Sequence, residues 1–553
     1  MKIALTQLNY YVGDFEKNIS KIKHSIQSAK KQKVDLIVFA EMAVCGFPPY
    51  DLLHYDSFVG KCQQAIADIA VECTEIAAII GAPYVNNDEF GKRLYNSALL
   101  LQNGSIKEVR HKTLLASNNS KDEHRYFEPN KKWGTISFKG EKIALTIGED
   151  LWNIDNYASG PLDILAEESP TIIINIAATP FHYDLWKERT EILTNYVLKY
   201  KLPLIYVNHV GGQGGLLFDG GSLALDKTGK RLYELKFFEE DFTIIDTKVT
   251  TTTTSPKQID NYPPEYLKIG LIHDSLIMGI KDFYGKQGFT KAILGLSGGL
   301  DSAVVLLLAI KALGRENVMS VLMPSPYSSD HSLTDAIHLL KNTKSPYKII
   351  NISEAYNLFR QTLEPVFGYL PTGATDENLQ ARIRGVYLMS MANNSGYLLL
   401  NNSNKSEAAV GYGTLYGDMN GGLSVIGDIY KTEVFELARY INYYKEVIPE
   451  NIIKKPPSAE LRPNQKDSDS LPDYDVLDKI LYNHIEKHKS YQELIEMGFD
   501  KELITKTLRL VSISEYKRHQ TPPILRVSPK AFGMGRKMPI VTSYLEYVHL
   551  ILK

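Results

Sequence analysis

The sequence predicts an α/β protein that folds as two domains, and three observations support this prediction. The chain has 553 residues, whereas single hydrophobic cores rarely grow beyond about 250–300 residues. Short β-rich runs alternate with helical patterns along the first half, and the alternation begins again near residue 291. A segment rich in threonine and proline separates the halves. We therefore expect domains at 1–246 and 267–553, joined by a linker at 247–266.

The first half contains predicted strands with helical segments between them, which indicates layered α/β packing. The helical pattern of 15–32 is the clearest, and the half closes on strands joined by a turn at 227–229. The predicted strands are 2–8, 35–41, 77–85, 142–148, 171–177 and 204–210.

The segment 247–266 has the composition of a connector. It holds five consecutive threonines from Thr250, followed by Pro256, Pro263 and Pro264, which favour neither a helix nor a buried core. The alternative is a long surface loop within one domain.

Composition excludes several classes of function. The net charge is −2, from 62 basic and 64 acidic residues, so nothing favours a nucleic-acid or membrane-surface partner. No stretch of eighteen apolar residues and no signal-peptide profile occurs. The three cysteines, Cys45, Cys62 and Cys73, lack CxxC spacing, which argues against a disulfide framework or a cysteine-rich zinc site. We expect a cytoplasmic enzyme.

The strongest motif is the glycine-rich turn Ser297–Ser302, which joins a predicted strand at 291–296 to a predicted helix at 301–314. A helix N-terminus opened by glycines presents unpaired N–H groups and a favourable dipole to an anion. The turn lacks the Gly-Lys-Ser/Thr ending of a Walker A loop, and a glycine turn alone can also be purely structural. The candidate phosphate-binding residues are Gly295, Leu296, Ser297, Gly298, Gly299, Leu300, Asp301 and Ser302.

This turn resembles the pyrophosphatase loop of the ATP-pyrophosphatase superfamily, which includes NAD, GMP and asparagine synthetases. The resemblance implies a doubly wound parallel sheet of the adenine nucleotide alpha hydrolase-like type. It also implies that ATP is cleaved between its α- and β-phosphates, so that the substrate is adenylated.

Further motifs resemble the NAD synthetases in particular. They are TDENLQARIRG (375–385), NSNKSEA (402–408) continuing through GYGTLYGD (411–418), Lys431, the lid-like segment 455–472 and the C-terminal segment 515–540. The resemblance implies ATP and deamido-NAD as substrates and Mg²⁺ at Asp301 and Glu407, with Asp301 and Lys431 also taking part in catalysis. It adds Asn402, where the family usually has threonine, to the ATP site. The implied deamido-NAD contacts are Asn378, Arg382, Glu407, Asp418, Lys431 and Lys517.

The first half resembles the nitrilase-like amidase domain that many NAD synthetases use to release ammonia from glutamine. The resemblance implies an αββα sandwich, with Glu41 (in VFAEMAVCGFPPYDLL) as general base and Lys112 stabilising the tetrahedral intermediate. The nucleophilic cysteine should precede Glu149-Asp150-Leu151-Trp152, but the sequence has Gly148 there.

Other departures fall at positions that the resemblance associates with glutamine: Asn118, Thr179 in NIAATP, and Gly214-Gly215. We therefore expect a folded domain that no longer hydrolyses glutamine, and a synthetase supplied with free or delivered ammonia. The alternative is a glutamine-dependent enzyme in which Gly148 is an engineered replacement of the cysteine.

Two rival functions remain at this stage. Another adenylating amidotransferase, such as a GMP synthetase, would share the ATP loop but not the substrate-side motifs at 375–385 and 402–418. A non-catalytic nucleotide-binding scaffold would predict a damaged phosphate or metal site, whereas Asp301, Glu407 and Lys431 are all present. The family resemblance also implies a homodimer or a higher homo-oligomer.

Overall fold

Two α/β units make up the chain in a computed structural model that describes residues 1–117, 122–152, 160–247, 258–542 and 544. Contacts divide the chain into Met1–Glu265 and Tyr266–Lys553. The threonine run of the predicted linker, at 250–254, falls within 248–257, which lies outside the described residues. The part of that linker that is described forms short 3₁₀ turns at Gln258–Asn261 and Pro264–Tyr266.

The first unit contains two six-stranded sheets. One has the order β14-β1-β2-β3-β4-β5 and the other β13-β12-β9-β8-β7-β6, with a separate β10-β11 hairpin. β1, β2 and β3 pair in parallel, as do β7, β8 and β9. The strands are β1 Lys2–Gln7, β2 Leu36–Val38, β3 Ala77–Val85, β4 Leu94–Gln102, β5 Ser105–His111, β6 Ile136–Phe138, β7 Glu141–Ile147, β8 Ile172–Ala177, β9 Leu204–Asn208, β10 Val210–Gln213, β11 Leu216–Asp219, β12 Leu223–Leu225, β13 Arg231–Glu234 and β14 Asp241–Asp246.

Helices cover the outer faces of both sheets and complete the αββα sandwich. Residues of both sheets share one buried core with α1 (Phe15–Lys31) and α2 (Asp56–Ala70). A second core joins the other sheet to α3 (Glu149–Trp152), α4 (Pro161–Ala166) and α5 (Leu185–Tyr200). Parallel strands covered on both faces read as continuous apolar runs, as β8 does. The predicted fold of this half is confirmed.

The second unit contains a five-stranded, wholly parallel sheet of order β17-β16-β15-β18-β19. The order reverses between β15 and β18, which makes the sheet doubly wound, and ligands of such sheets bind beyond the carboxyl ends of the strands at that switch point. The strands are β15 Ala292–Gly295, β16 Val318–Leu322, β17 Tyr347–Ile349, β18 Leu398–Asn401 and β19 Leu423–Ser424. This predicted fold is also confirmed.

The helices of the second unit position the loops at that switch point. α10 packs against β15 and β18, α7 packs against β15 and β16, and α14 and α16 pack against the short α11. The helices are α6 Leu267–Gln287, α7 Leu300–Leu313, α8 Asp330–Thr343, α9 Ser353–Phe367, α10 Ala374–Ser395, α11 Lys405–Val410, α12 Lys431–Ile441, α13 Glu450–Lys454, α14 Tyr474–Ile485, α15 Tyr491–Glu496, α16 Lys501–Ile513 and α17 Glu515–Arg518. Among the described residues, no helix is both long and apolar enough to cross a membrane.

Candidate active sites

A buried charge cluster in the first unit contains two of the residues predicted for amide hydrolysis. Lys112 Nζ donates to Glu41 Oε1 at 2.8 Å. Two more carboxylates, those of Glu123 and Glu149, accept from the same Nζ at 2.9 and 2.8 Å. All four side chains are buried. Burial alone lowers the pKa of Lys112, but the three neighbouring carboxylates raise it well above its ordinary value, so the ammonium persists.

Glu41 is held in a fixed orientation by the surrounding backbone and side chains. Its Oε2 accepts the N–H of Ala178 at 2.8 Å, and its Oε1 also accepts from Asn96 Nδ2 at 2.7 Å. A carboxylate held in this way keeps its acceptor atoms in place without needing to reorganise.

Gly148, the third predicted position, lies directly against these two residues. It follows β7, precedes α3 and has a left-handed φ of +47°. A Cβ placed at Gly148 would lie 2.8 Å from Glu41 Oε2 and 3.0 Å from Lys112 Nζ. The structure therefore brings the three predicted positions together, and position 148 offers no side chain as a nucleophile.

The three cysteines of the chain lie in buried surroundings. Cys45, Cys62 and Cys73 are all buried. A hydrogen bond with Cys62, together with burial, raises the pKa of Cys45 well above its ordinary value, and burial raises that of Cys73 to about 12. Thiols in such surroundings stay protonated, whereas the reactive form is the thiolate.

The residues that depart from the glutamine-binding pattern of the family lie only partly within the described part of the chain. Thr179 Oγ1 accepts from Tyr206 Oη at 2.9 Å within the buried interior. Gly214 has a φ of +60° at the end of the β10-β11 hairpin. Asn118 lies outside the described residues.

A cavity of about 330 Å³ opens in the second unit, and all eight residues of the predicted phosphate loop line it. Gly299 is the N-cap residue of α7, a helix of 14 residues, and Gly298 has a left-handed φ of +81°. Ser302 Oγ donates to Gly299 O at 3.1 Å, which fixes the shape of the turn. The N-terminus of α7 thus faces the cavity with the geometry of an anion site.

Asp301, Glu407 and Lys431 meet at the wall of this cavity. Lys431 Nζ donates to Asp301 Oδ2 and lies 3.9 Å from Glu407 Oε1. Burial and the nearby charge of Asp301 raise the pKa of Glu407 to about 8. Burial alone lowers the pKa of Lys431, but Asp301 and Glu407 raise it. The arrangement places a cation and two acidic groups beside the phosphate loop.

The two acidic groups fit a hard divalent cation. Burial is the main cause of the raised pKa of Glu407, and the charge of Asp301 adds to it. A bound cation would offset that negative charge, and carboxylate oxygen is the ligand type that Mg²⁺ prefers. In the described part of the chain, no group of three or more His, Cys, Asp or Glu side chains has metal-binding geometry. Phosphate and water oxygens would therefore have to supply the remaining ligands.

Asn402 also lines the cavity, and its two polar atoms have different surroundings. Its Nδ2 donates to Gly295 O at 2.9 Å, which ties it to the start of the phosphate loop. Its buried Oδ1 has no hydrogen-bond partner among the described residues. A buried acceptor without a donor is costly, so the cavity offers a nucleotide one unused acceptor here.

The residues predicted for deamido-NAD fall into two groups. Asp418, Glu407 and Lys431 line the cavity, whereas the other three contact the neighbouring 411–415 loop instead. Asn378 Oδ1 accepts from Thr414 Oγ1, and Arg382 Nε donates to Leu415 O at 3.2 Å. Lys517 Nζ donates to the carbonyl oxygens of Gly411 and Gly413, each at 2.8 Å.

The sequence did not point to several residues that contact the candidate site in the structure. Asn404 Nδ2 donates to Asp301 Oδ1 at 2.9 Å while its Oδ1 caps α11. The Asn404-x-x-Glu407 spacing is a capping-box pattern that could have revealed it. In the lid-like segment, Glu460 Oε1 accepts from Lys455 Nζ at 2.6 Å and from Ser332 Oγ at 2.7 Å. No local pattern marks the contact with Ser332, because it joins residues 128 positions apart in the chain.

Comparison with known families matches each half of the chain separately. Residues 2–257 match the family described as carbon-nitrogen hydrolase, and residues 272–521 match the family described as NAD synthase. A carbon-nitrogen hydrolase unit followed by an NAD synthase unit defines a class of two-domain, amide-forming ligases.

Full-length relatives share this arrangement. The chain is 42% identical to the glutamine-dependent NAD(+) synthetase of Synechocystis sp., over 98% of this chain and 99% of that protein. It is 40% identical to that of Acinetobacter baylyi, over 98% of each. The solved glutamine-dependent NAD+ synthetase of Acinetobacter baumannii, in complex with ADP, matches with a TM-score of 0.76 and 36% identity over 98% of each chain. The chain belongs to the family of two-domain NAD synthetases, which are ligases.

Proposed function

We propose that this chain converts deamido-NAD to NAD at the cavity of the second unit, with ATP as co-substrate and ammonia as the effective nitrogen donor. The convergence of the phosphate loop, Asp301, Lys431 and Glu407 around one cavity supports the synthetase part of the proposal. The glycine beside Glu41 and Lys112 supports the choice of ammonia.

The reaction proceeds in two displacements. The nicotinate carboxylate of deamido-NAD attacks the α-phosphorus of ATP, the α–β phosphoanhydride bond breaks, and pyrophosphate leaves. Ammonia then attacks the acyl carbon of the adenylate, AMP leaves with the bonding electron pair, and the new amide nitrogen releases one proton to solvent. The chain mainly positions the reactants and stabilises charge in such transfers. The backbone N–H groups at Ser297–Ser302 and the Lys431 ammonium are placed to hold the leaving pyrophosphate.

Asp301 and Glu407 are the residues that would hold Mg²⁺ beside the phosphates. When bound, the ion offsets the negative charge of ATP that would otherwise repel the attacking carboxylate. Asn404 and Lys431 keep Asp301 in place for that task.

The proposed nitrogen donor differs from the names of the relatives, which are called glutamine-dependent. Amide hydrolysis through a covalent intermediate needs a nucleophile beside its base. Glu41 and Lys112 have at this point only the backbone of Gly148, and all three cysteines of the chain are buried elsewhere in the sequence, at positions 45, 62 and 73. We therefore propose that glutamine is not hydrolysed here.

The nitrogen donor can be identified directly. Purified protein with ATP, Mg²⁺ and deamido-NAD should form NAD with ammonium and show no turnover with glutamine that has been freed of ammonia. Turnover with such glutamine would contradict the choice of ammonia while leaving the synthetase assignment standing. Absence of NAD with either donor, and of deamido-NAD-dependent pyrophosphate release, would contradict the synthetase assignment itself.

We also propose that the second unit pairs with a second copy of itself. α9 and α10 expose large apolar side chains, including Leu358 (64% exposed), Val366 (74%) and Val386 (61%), and exposed apolar patches commonly mark interfaces. Val366→Glu should lower the mass measured by sedimentation. Val71→Glu, at a similarly exposed site in the first unit (66%), is the control. A wild-type monomer would contradict the pairing.

The cytoplasmic location stays a prediction.

A further inference from the structure

Asp478 is a buried carboxylate that the reaction described above does not use. It lies on α14, is 4% exposed and does not line the nucleotide cavity. One of its oxygens accepts from Ser406 Oγ on α11, and the other accepts the N–H of Thr432 on α12 at 2.8 Å. A buried carboxylate is costly unless it is hydrogen-bonded, so these bonds hold three helices in one arrangement.

These hydrogen bonds continue to the groups at the phosphate site. Ser406 Oγ, which donates to Asp478, accepts the N–H of Lys431 at 2.9 Å. Ser406 immediately precedes Glu407, and Thr432 immediately follows Lys431. The Ser406–Asp478 pair thus links the backbone that carries the carboxylate of Glu407 to the backbone that carries the ammonium of Lys431.

Asp478 also sits at the start of α12, which begins at Lys431. The first N–H groups of a helix have no partner within the helix, and a carboxylate near them is stabilising. Tyr430 N is bound separately by Glu433, at 2.9 Å. The next two amides, those of Lys431 and Thr432, depend on Ser406 and Asp478.

We infer that Asp478 is a positioning residue that sets the separation between the Lys431 ammonium and the Glu407 carboxylate. The inference rests on the proposed function of the cavity. Without Asp478, both groups remain in the chain, but their backbones are no longer tied to each other. A displacement of about 1 Å at a positioned group can cost about 100-fold in rate.

The test uses the full-length chain and deamido-NAD-dependent exchange of pyrophosphate into ATP, which needs no nitrogen donor. Asp478→Ala should lower kcat by about 10-fold to 100-fold and leave the KM for ATP nearly unchanged, because the phosphate loop is intact. Asp478→Asn, which keeps one acceptor oxygen, should recover much of the loss. Asp475→Asn, at an exposed site on the same helix, is the control.

Each further outcome decides between the inference and its alternatives. Ser406→Ala breaks the same link with a smaller change, so it replaces Asp478→Ala if that variant is unfolded at the assay temperature. Folded variants at both positions with wild-type kcat would overturn the positioning role. A loss of folded protein with unchanged kcat per folded molecule would also overturn it, because the role would then be structural only. No exchange by the wild type would instead overturn the proposed function.

Discussion

Gly148 occupies a point where a side chain could be accommodated by small movements of its neighbours. A Cβ there would come close only to the ends of two long side chains, those of Glu41 and Lys112. Its φ of +47° is disfavoured for residues other than glycine, but such strain is often kept at catalytic turns. The predicted base and cation, Glu41 and Lys112, therefore remain beside position 148.

Gly148→Cys should introduce a reactive thiol. Glu41 lies nearest to position 148 and can accept the thiol proton, and the Lys112 ammonium beside it then stabilises the thiolate. We expect iodoacetamide to label position 148 before the three buried native cysteines, as read by peptide mass analysis, with Gly148→Ser as the unlabelled control. Labelling of Cys45 first would contradict this expectation.

Glu407 gives the second unit a pH dependence whose sign is fixed by its pKa. Its value is about 8 in the folded chain, against an ordinary value of 4.5. Because the folded state binds the proton more tightly, this group favours folding at low pH, and that contribution is lost as pH rises from about 4.5 to about 8.

Glu407→Gln should remove this dependence. Without ligands, the melting temperature of the variant should match that of the wild type near pH 5. The variant should then melt at an increasingly higher temperature than the wild type up to pH 8, and the difference should stay constant at still higher pH. Calorimetric scans at several pH values measure this. A margin that stays constant from pH 5 to pH 9 would show that Glu407 is ionised throughout this range, which would contradict the raised pKa.

At the scale of the element, the backbone of the predicted phosphate loop packs closely against the first turn of α8. A Cβ at Gly298 would lie 2.2 Å from the carbonyl oxygen of Ser332 on α8, and φ there is +81°. At Gly299 the nearest atom would be Ser297 Oγ, at 3.2 Å, with no left-handed φ. The two glycines are thus required for different reasons.

Gly298→Ala should be much more damaging than Gly299→Ala. The first change forces backbone atoms apart, with strain on the order of 1–3 kcal/mol, whereas the second meets only a side chain that can turn. We expect pyrophosphate exchange to fall at least about tenfold further in Gly298→Ala, a difference of about 1.4 kcal/mol in activation free energy. Equal losses would mean that phosphate approach, rather than the contact with α8, governs both positions.

The elements themselves could largely be predicted from the sequence. The helix at Phe15–Lys31 and the strand–turn–helix around Ser297 follow from local periodicity and glycine placement. The contacts of Glu460 with Ser332, or of Asp478 with Ser406, join positions more than seventy residues apart. Such contacts depend on tertiary packing, which no local pattern encodes.

At the scale of the whole molecule, each unit has its own buried core, so damage to one should spare the chemistry of the other. Lys112→Met leaves three buried carboxylates without their cation, which typically costs about 3–5 kcal/mol. The melting transition of the first unit should fall, while NAD formation from ammonium below that temperature should persist. Lys107→Met, at an exposed site on β5, is the control. Parallel loss of both properties would mean that the units are coupled.

The bare backbone at Gly148 has a consequence for how a cell could use this chain. An enzyme that releases ammonia from glutamine within its own structure is little affected by the ammonia concentration of its surroundings. This chain would instead draw on ammonia from its surroundings. In the proposed reaction only the uncharged form of ammonia attacks the adenylate, so output would rise with both the ammonium supply and the alkalinity of the medium. NAD production would then report on the nitrogen status of the cell.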